Sequence, residues 1–294
     1  MIHDLIPLTN TDLVGNEEFS VNFFIGYTQV LRFADRLVTV SRKVARDVAC
    51  YVSETSMAGL APTRPLPVAY FTLGSDALPP QVAPDIALPF PVDADTLVAA
   101  GTLMKHKGIN AFVEAMQLLW AEGCTAKLVL VGGDMGKGNT RRHLSRLPVF
   151  GHQLFLPGYV SDAELAAALR RCGALVCPSL DEGFGLPLVE AAALGCPIIA
   201  RDSEIFRETS GGNAFFFANG GVEGIAAGLR QWFKLTRKQQ KKFVPRQSLV
   251  TWRQSAEMLK AIMFQGACAF TVDVGINATV NLAVPGGSRG NSQP

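Results

Sequence analysis

Two glutamates bracket a glycine-rich segment in the second half of the chain. The segment, Asp181-Glu182-Gly183-Phe184-Gly185-Leu186-Pro187-Leu188-Val189-Glu190, places seven residues between the two carboxylates. Gly183 and Gly185 let the backbone approach a ligand closely, and the free N–H groups at the start of a following helix favour phosphate. The carboxylates would accept hydrogen bonds from sugar hydroxyls beside that phosphate. The alternative is a tight turn with two solvated glutamates.

The elements that must position this segment follow from the apolar pattern. Short apolar runs alternate with helix-period segments, which is typical of βαβ units and a parallel sheet. We therefore predict an α/β fold with a doubly wound parallel sheet. The predicted strands after residue 95 are 96–101, 126–131, 153–156, 174–177 and 197–200. The glycine-rich segment then connects the fourth of these strands to a helix.

Composition and spacing divide the chain into three parts. Residues 65–91 are rich in proline and are predicted to be a linker with little regular structure. We place an N-terminal part with this linker at 1–92 and the doubly wound domain at 93–266. A tail follows at 267–294, in which residues 270–284 have strand-like composition.

Several classes of protein are excluded by composition. The chain has 294 residues, 48% hydrophobic and 18% charged, which predicts a packed core. A net charge of +2 does not suit nucleic-acid binding. No apolar run reaches the ~18 residues of a membrane span, and the first residues do not look like a secretory signal. The six cysteines contain no C-x-x-C pair, so we expect reduced thiols, a cytoplasmic protein and no metal.

With its flanks at 176–179 and 190–200, the glycine-rich segment resembles the E-x7-E region of retaining GT-B glycosyltransferases, specifically glycosyltransferase family 4 (group 1). The resemblance covers roughly residues 1–265. It implies that 1–92 is a partial, acceptor-side N-terminal domain with its linker and that 93–266 is a nucleotide-sugar-binding C-terminal domain. It implies a GT-B-like fold that transfers a hexosyl group from a UDP- or GDP-linked nucleotide sugar to a glycan or lipid-linked acceptor. The anomeric configuration would be retained, and the nucleotide sugar would be a substrate, with neither cofactor nor metal.

The resemblance also implies roles for the residues of the segment. Glu190 would bind the ribose hydroxyls of the nucleotide, and Glu182 would bind the donor sugar as a catalytic residue. Backbone N–H groups of Gly183, Phe184 and Gly185 would face the donor. Leu186 would complete this part of the donor site.

Three further segments match the family. In residues 101–108, Lys107 falls where an ammonium group contacts the donor diphosphate, while Thr102 and His106 occupy the places of the family's partner arginine. Tyr159 and Val160 resemble the loop over the nucleotide base. His3 stands in a segment similar to H-D-x-x-P, which would make it a catalytic residue across the cleft.

The chain departs from the family at its start. There the His-Asp segment follows several βα units, whereas here it begins the sequence. We therefore expect a shortened N-terminal domain with an incomplete acceptor face. The alternative function is a non-catalytic nucleotide-sugar-binding module or pseudoenzyme, and product formation would separate the two.

A basic run without acidic residues extends from Lys234 to Arg246. Such a run is usually a solvated helix face. The functional alternative is peripheral contact with anionic lipid at the inner face of a membrane.

Overall fold

The computed structural model describes residues 1–14, 17–59, 64–83, 86–134, 138–246, 249–273 and 279–282. The chain divides into two compact units. Unit 1 comprises Met1–Thr72 with Ser255–Pro294, and unit 2 comprises Leu73–Gln254.

The helices and strands are numbered here in chain order. The helices are α1 (Ile6–Thr9), α2 (Thr11–Val14), α3 (Glu17–Phe33), α4 (Arg42–Met57), α5 (Ile109–Ala121), α6 (Asn139–Leu144), α7 (Asp162–Arg171), α8 (Leu186–Ala193), α9 (Glu204–Thr209), α10 (Gly221–Lys234), α11 (Arg237–Gln240) and α12 (Trp252–Gln265). The strands are β1 (Leu37–Thr39), β2 (Leu66–Tyr70), β3 (Thr96–Ala100), β4 (Lys127–Val131), β5 (Leu154–Gly158), β6 (Ala174–Cys177), β7 (Ile198–Arg201), β8 (Phe215–Phe217), β9 (Phe270–Asp273) and β10 (Thr279–Leu282).

Unit 2 is built on a six-stranded parallel sheet in the order β5-β4-β3-β6-β7-β8. The five predicted strands correspond to β3 through β7, and the predicted doubly wound α/β class is confirmed. The sixth strand, β8, was not predicted. It is only three residues long, and two of its phenylalanines are half-buried, so its apolar signal is short.

Both faces of this sheet are covered, because successive side chains of its central strands point to opposite faces and are buried on each. Leu97 and Ala99 pack into one core with α5 and α10. Val98, which points to the opposite face, is fully buried as well. Strands covered on both faces are continuously apolar, and this is the pattern by which the sequence identified them.

Two helices of the chain begin at a serine that caps them. Ser161 caps α7 by accepting a hydrogen bond from the Glu164 N–H, and Glu164 accepts one from the Ser161 N–H at 2.7 Å. This reciprocal pair is a capping box. Ser41 caps α4 by a single hydrogen bond, which its hydroxyl accepts from the Val44 N–H at 3.2 Å.

Unit 1 contains a four-stranded mixed sheet in the order β1-β2-β9-β10. Strands β1 and β2 are parallel, whereas β9 runs antiparallel to both β2 and β10. Helix α4 packs its apolar face, including Val44, Val48 and Val52, into one core with Leu66 and Val272 of the sheet.

The observed units differ from the sequence boundaries at residues 92 and 266. Residues 73–92 belong to unit 2, where both the N–H and the hydroxyl of Ser75 donate to the Val250 carbonyl at 2.9 Å. The predicted tail contains β9 and β10, so its strand-like composition was informative, although residues 274–278 and 283–284 lie outside the described part. Unit 1 therefore includes the end of the chain because β9 pairs with β2.

The prediction of a linker at 65–91 is wrong for residues 66–70, which form β2. Leu66 and Val68 of this strand are fully buried, while Pro67 between them is half-buried. Burial of alternate apolar side chains therefore outweighs the loss of one backbone donor at proline.

We expect Phe112→Ala to lower the free energy of unfolding of unit 2 by about 3–5 kcal/mol, because it removes a fully buried aromatic ring. Phe112 is 1% exposed, and its ring centroid lies 6.1 Å from that of Phe217. Denaturant unfolding followed by tryptophan fluorescence measures the change. Phe264→Ala, at a side chain 83% exposed, is the control and should shift the free energy by less than ~0.5 kcal/mol. Equal stability of the two variants would contradict this account of the core.

Candidate nucleotide-sugar site

The candidate site lies at the carboxyl edge of the unit 2 sheet. The chain order reverses at β3, whose neighbours are β4 on one side and β6 on the other. Loops leaving adjacent strands in opposite directions open a crevice there, the usual ligand position in such sheets. A pocket at this point is lined by residues 99–103, Lys107, Ile109, Leu130, Val131, 176–179, Glu182, Gly185, Pro187 and Phe206.

The structure brings together two of the predicted site residues, Lys107 and Glu182. The Lys107 Nζ lies 2.6 Å from the Glu182 Oε1, with the side chains 22% and 15% exposed. The Ser179 hydroxyl donates to the same oxygen at 2.7 Å. Two donors from two loops thus orient the Glu182 carboxylate.

Close contact between these loops depends on a glycine. Gly108, which ends the Lys107 turn, has φ +64°, and a Cβ there would lie 2.3 Å from the Pro178 carbonyl oxygen. The loops are also joined by the Leu180 N–H, which donates to the His106 carbonyl at 2.7 Å. Lys107 therefore meets Glu182 because the backbones beneath them touch.

The glycine-rich segment leads into α8, as predicted, and its residues from Leu186 onward form the first turns of that helix. Gly185 is the cap residue, with φ +88°, and no side chain caps the helix. A Cβ at Gly185 would lie 3.0 Å from the Phe206 ring, while Phe184 is buried. The uncapped helix start favours an anion at this edge of the pocket. The donor contacts predicted for the backbone of Gly183, Phe184 and Gly185 and for Leu186 stay predictions.

Glu190 lies one turn into α8 and is half-buried. Burial raises the pKa of the Glu190 carboxyl above its usual value, and the nearby charge of Asp162 raises it further. Ligand hydroxyls that donate to this carboxylate would stabilise its charged form. Such a carboxylate suits the predicted contact with the ribose hydroxyls.

Tyr159 and Val160 follow β5 at the same edge of the sheet. Tyr159 is 77% exposed, and its ring covers the loop after β4, since a Cβ at Gly133 would lie 2.7 Å from the phenol oxygen. Val160 is half-buried. The contact with the nucleotide base predicted for this pair stays a prediction.

His3 belongs to unit 1 and is exposed. The preceding Ile2 donates its N–H to the Val38 carbonyl at 2.8 Å, beside β1. The following Asp4 accepts a hydrogen bond from the Ile6 N–H at 3.1 Å, at the start of α1. The catalytic role of His3 stays a prediction.

Two residues with contacts at the site were missed by sequence reasoning. The Ser179 hydroxyl donates to Glu182. Its position three residues before Glu182 in the same loop is the sequence feature that could have predicted this contact. Arg201 ends β7 and donates through Nε to the Pro178 carbonyl at 2.9 Å. The sequence feature that could have singled out Arg201 is its position as a cation at the end of an otherwise apolar strand.

The described residues contain neither a candidate metal-binding cluster nor a helix that could span a membrane. No group of three His, Cys, Asp or Glu side chains in that part of the chain could hold a metal ion. No helix there is long and apolar enough to cross a bilayer. The six cysteines, all of them described, are free thiols.

Comparison with known proteins identifies the family. Residues 86–247, which include both loops of the pocket, Glu190 and Tyr159, match the family of glycosyl transferases group 1. This match covers more than half of the chain. The chain belongs to the glycosyl transferases group 1 family.

The serotype-specific mannosyltransferase WbdA of Escherichia coli is similar to this group 1 glycosyltransferase chain, with 32% identity over 266 residues. The match covers 88% of this chain and 32% of WbdA, so the chain spans about a third of the length of this curated relative.

Two solved structures share the fold. An α,α-trehalose-phosphate synthase (UDP-forming) from Burkholderia xenovorans, in complex with glucose-6-phosphate, aligns with a TM-score of 0.61 at 12% identity, over 83% of this chain and 64% of that chain. Anabaena Alr3699/HepE, in complex with UDP and glucose, aligns with a TM-score of 0.59 at 18% identity, over 88% and 70%. These likenesses confirm the GT-B-like fold class of this group 1 glycosyltransferase.

We expect Glu190→Gln to weaken binding of UDP or GDP by about 1.5–3 kcal/mol, because a charged acceptor is lost from the ribose hydroxyls. Isothermal calorimetry at neutral pH measures the change. Since bound hydroxyls stabilise the carboxylate, the affinity of the unmodified chain should fall as the pH drops through the raised Glu190 pKa. The affinity of Glu190→Gln should lack that fall.

Glu114→Gln is the matched control for this experiment, because Glu114 is an exposed glutamate on α5. It should leave both the affinity and its pH dependence unchanged. A folded Glu190→Gln variant with unchanged affinity would remove Glu190 from the nucleotide site.

Proposed function

We propose that the chain transfers a hexosyl group from a UDP- or GDP-linked nucleotide sugar to a glycan or lipid-linked acceptor, with retention of the anomeric configuration. The observation that carries this proposal is the Lys107–Glu182 pair, held at 2.6 Å in the crevice where β3 and β6 end. The name of the relative WbdA supports mannose as the transferred hexose.

The diphosphate of the donor would lie between Lys107 and the start of α8. An ammonium group offers three donors, of which Glu182 takes one in the described structure. The remaining donors and the helix dipole would neutralise the charge that develops on the departing diphosphate.

Glu182 would accept hydrogen bonds from hydroxyls of the donor sugar. Lys107 and Ser179 hold its carboxylate before the substrate arrives, so little reorganisation is needed during the reaction. A fixed negative charge near the sugar ring would also stabilise an oxocarbenium-like transition state. Catalysis would rest mainly on positioning and on charge.

The rest of the nucleotide would follow the crevice from α8 toward β5. Glu190 would accept from the ribose hydroxyls, and the Tyr159–Val160 loop would contact the base. His3 would contribute from the N-terminal unit as a catalytic residue, as the resemblance implies.

Donor binding without transfer is the second candidate function. It is favoured by Thr102, which lines the pocket at a place where the resemblance puts an arginine. With one cation fewer in the loop after β3, the departing diphosphate would be less well stabilised. Both candidates predict nucleotide binding, whereas only the first predicts a product.

We expect the chain to move radiolabel from GDP-[14C]mannose or UDP-[14C]glucose to mannose-terminated oligosaccharides, and the anomeric form of the product to match the donor. Lys107→Met should lower the rate by about 10²–10³-fold, because it removes a donor aimed at the leaving group. The sequence predicts that transfer persists in excess EDTA.

Lys127→Met is the matched control for Lys107→Met. Lys127 also pairs with a carboxylate, that of Asp93, but it lies at the opposite end of its strand from the pocket. It should leave the rate unchanged. Tight nucleotide binding with no product from either donor would favour the binding module over the enzyme.

The basic run supports peripheral contact with anionic lipid. It spans the end of α10, all of α11 and the residues that follow, and Lys238, Lys241 and Lys242 in it are exposed. Arg237 instead pairs with Asp95 and donates to the Gln240 side chain at 2.7 Å. The lysines are therefore the residues that a lipid surface would meet.

We expect the chain to sediment with vesicles containing phosphatidylglycerol and to stay in solution with phosphatidylcholine alone. Replacing the three lysines by glutamine should abolish that binding, since each basic residue near an anionic surface contributes about 1 kcal/mol. Vesicle binding that survives this change would assign the contact to another surface.

A further inference from the structure

Arg201 is a buried cation beneath the pocket. The residue is 6% exposed and ends β7, with its guanidinium 5.4 Å from the centre of the Phe217 ring. Its Nε donates to the Pro178 carbonyl at 2.9 Å, and its Nη1 donates to the Asn219 side chain at 3.0 Å. Two of its three nitrogens are thus held by neutral oxygens.

In the described part of the chain, no carboxylate balances the charge of Arg201. No ion pair there includes Arg201, whereas four more exposed arginines each pair with Asp or Glu, namely Arg64, Arg207, Arg230 and Arg237. A buried charge without an opposite charge is costly to the fold. Such a cost is understandable where an anionic ligand supplies the opposite charge.

The third nitrogen of Arg201 faces the loop that carries Lys107. Its Nη2 lies 3.4 Å from the position that a Cβ on Gly108 would take, and Gly108 follows Lys107 directly. Pro178, held by Nε, begins the loop that carries Ser179 and Glu182 and itself lines the pocket. Arg201 therefore lies behind both loops of the candidate site, at the point where they touch.

We propose that Arg201 is the second positive charge of the diphosphate site. It acts as a positioning residue, because it holds the Pro178 carbonyl and thereby the loop that bears Glu182. Its charge adds to that of Lys107 through the poorly solvated backbone between them, where a charge is screened less than in water. This inference rests on the proposed function, since it needs a nucleoside diphosphate in the pocket.

This role accounts for Thr102 at the place of a family arginine. A cation in the loop after β3 would reach the diphosphate from the pocket side. Arg201 provides the same charge from β7, with its direction fixed by two hydrogen bonds within the protein. The diphosphate site would then have two cations, Lys107 in the loop after β3 and Arg201 at the end of β7.

The test compares three ligands that differ in charge: GDP, GMP and guanosine, with the uridine series run in parallel. Arg201→Met should weaken binding of the diphosphate by about 10–100-fold, the effect of one nearby unit charge at a protein-like dielectric. The monophosphate should lose less affinity, and the nucleoside should keep its affinity. Calorimetry or equilibrium dialysis measures all three.

Two further variants separate charge from loop structure. Arg201→Lys keeps the charge without both hydrogen bonds, and it should restore most of the preference for the diphosphate. Arg201→Gln keeps a donor without the charge and should behave like Arg201→Met. If Arg201→Met does not fold, as circular dichroism would show, the Lys and Gln variants carry the same comparison.

Arg230→Met is the matched control, because Arg230 is an exposed arginine paired with Glu122. It should leave all three affinities unchanged. An equal loss for nucleoside and diphosphate would show that Arg201 only supports the loop and would overturn its charge role, as would unchanged diphosphate binding. If the unmodified chain binds none of these nucleotides, the proposed function fails instead.

Discussion

The contact between Lys107 and Glu182 is the interaction on which the candidate site depends. It joins loops from two neighbouring parallel strands at 2.6 Å, with both side chains largely removed from water. Burying two charges costs desolvation energy, which good geometry and further hydrogen bonds must offset. The Ser179 hydroxyl provides one such bond. Unless both partners are kept, the remaining charge would be left without compensation, so each residue constrains the other.

This contact is possible only because of the backbone beneath it. Gly108 lies so close to the Pro178 carbonyl that any side chain would collide with it. Its positive φ adds a second reason for glycine, since other residues rarely adopt that conformation. The pairing of two charged side chains thus depends on a glycine that carries no chemistry. Parallel neighbours β3 and β6 supply the remaining condition, because their carboxyl ends open at the same edge.

Much of the unit 2 fold could be predicted from the sequence, because strands that are covered on both faces have continuous apolar runs in the sequence. The glycine-rich segment was recognisable for the same reason, since it joins such a run to a helix. Pairing between distant segments was not predictable. Phe270 pairs with Val68 across some two hundred residues, and no local pattern encodes that partner. The predicted boundary at residue 266 therefore differs from the observed division of the chain, in which β9 belongs to the same unit as β2.

The side-chain contacts of the site could likewise not be predicted from the sequence. Lys107 and Glu182 were each predicted, but their pairing depends on strand order, which the sequence leaves open. Arg201 was not predicted as a site residue, because what marks it is its burial without a paired carboxylate among the described residues, which the sequence alone does not show. A lone arginine at the end of a strand is otherwise an ordinary surface residue. Its hydrogen bond to Pro178 ties β7 to the loop after β6, a relation visible only in three dimensions.

The proposed function assigns alternating charges to the parts of a nucleotide sugar. Such a molecule presents hydroxyl donors at the sugar, anionic oxygens at the diphosphate and hydroxyl donors again at the ribose. In this proposal Glu182 would accept from the sugar, Lys107 and the start of α8 would meet the diphosphate, and Glu190 would accept from the ribose. Free phosphate would meet only the central part, and a free sugar only one end. Recognition of the whole molecule would therefore require the three regions to keep their spacing, and the pairing of β3 with β6 at the carboxyl edge of the sheet would help to fix it.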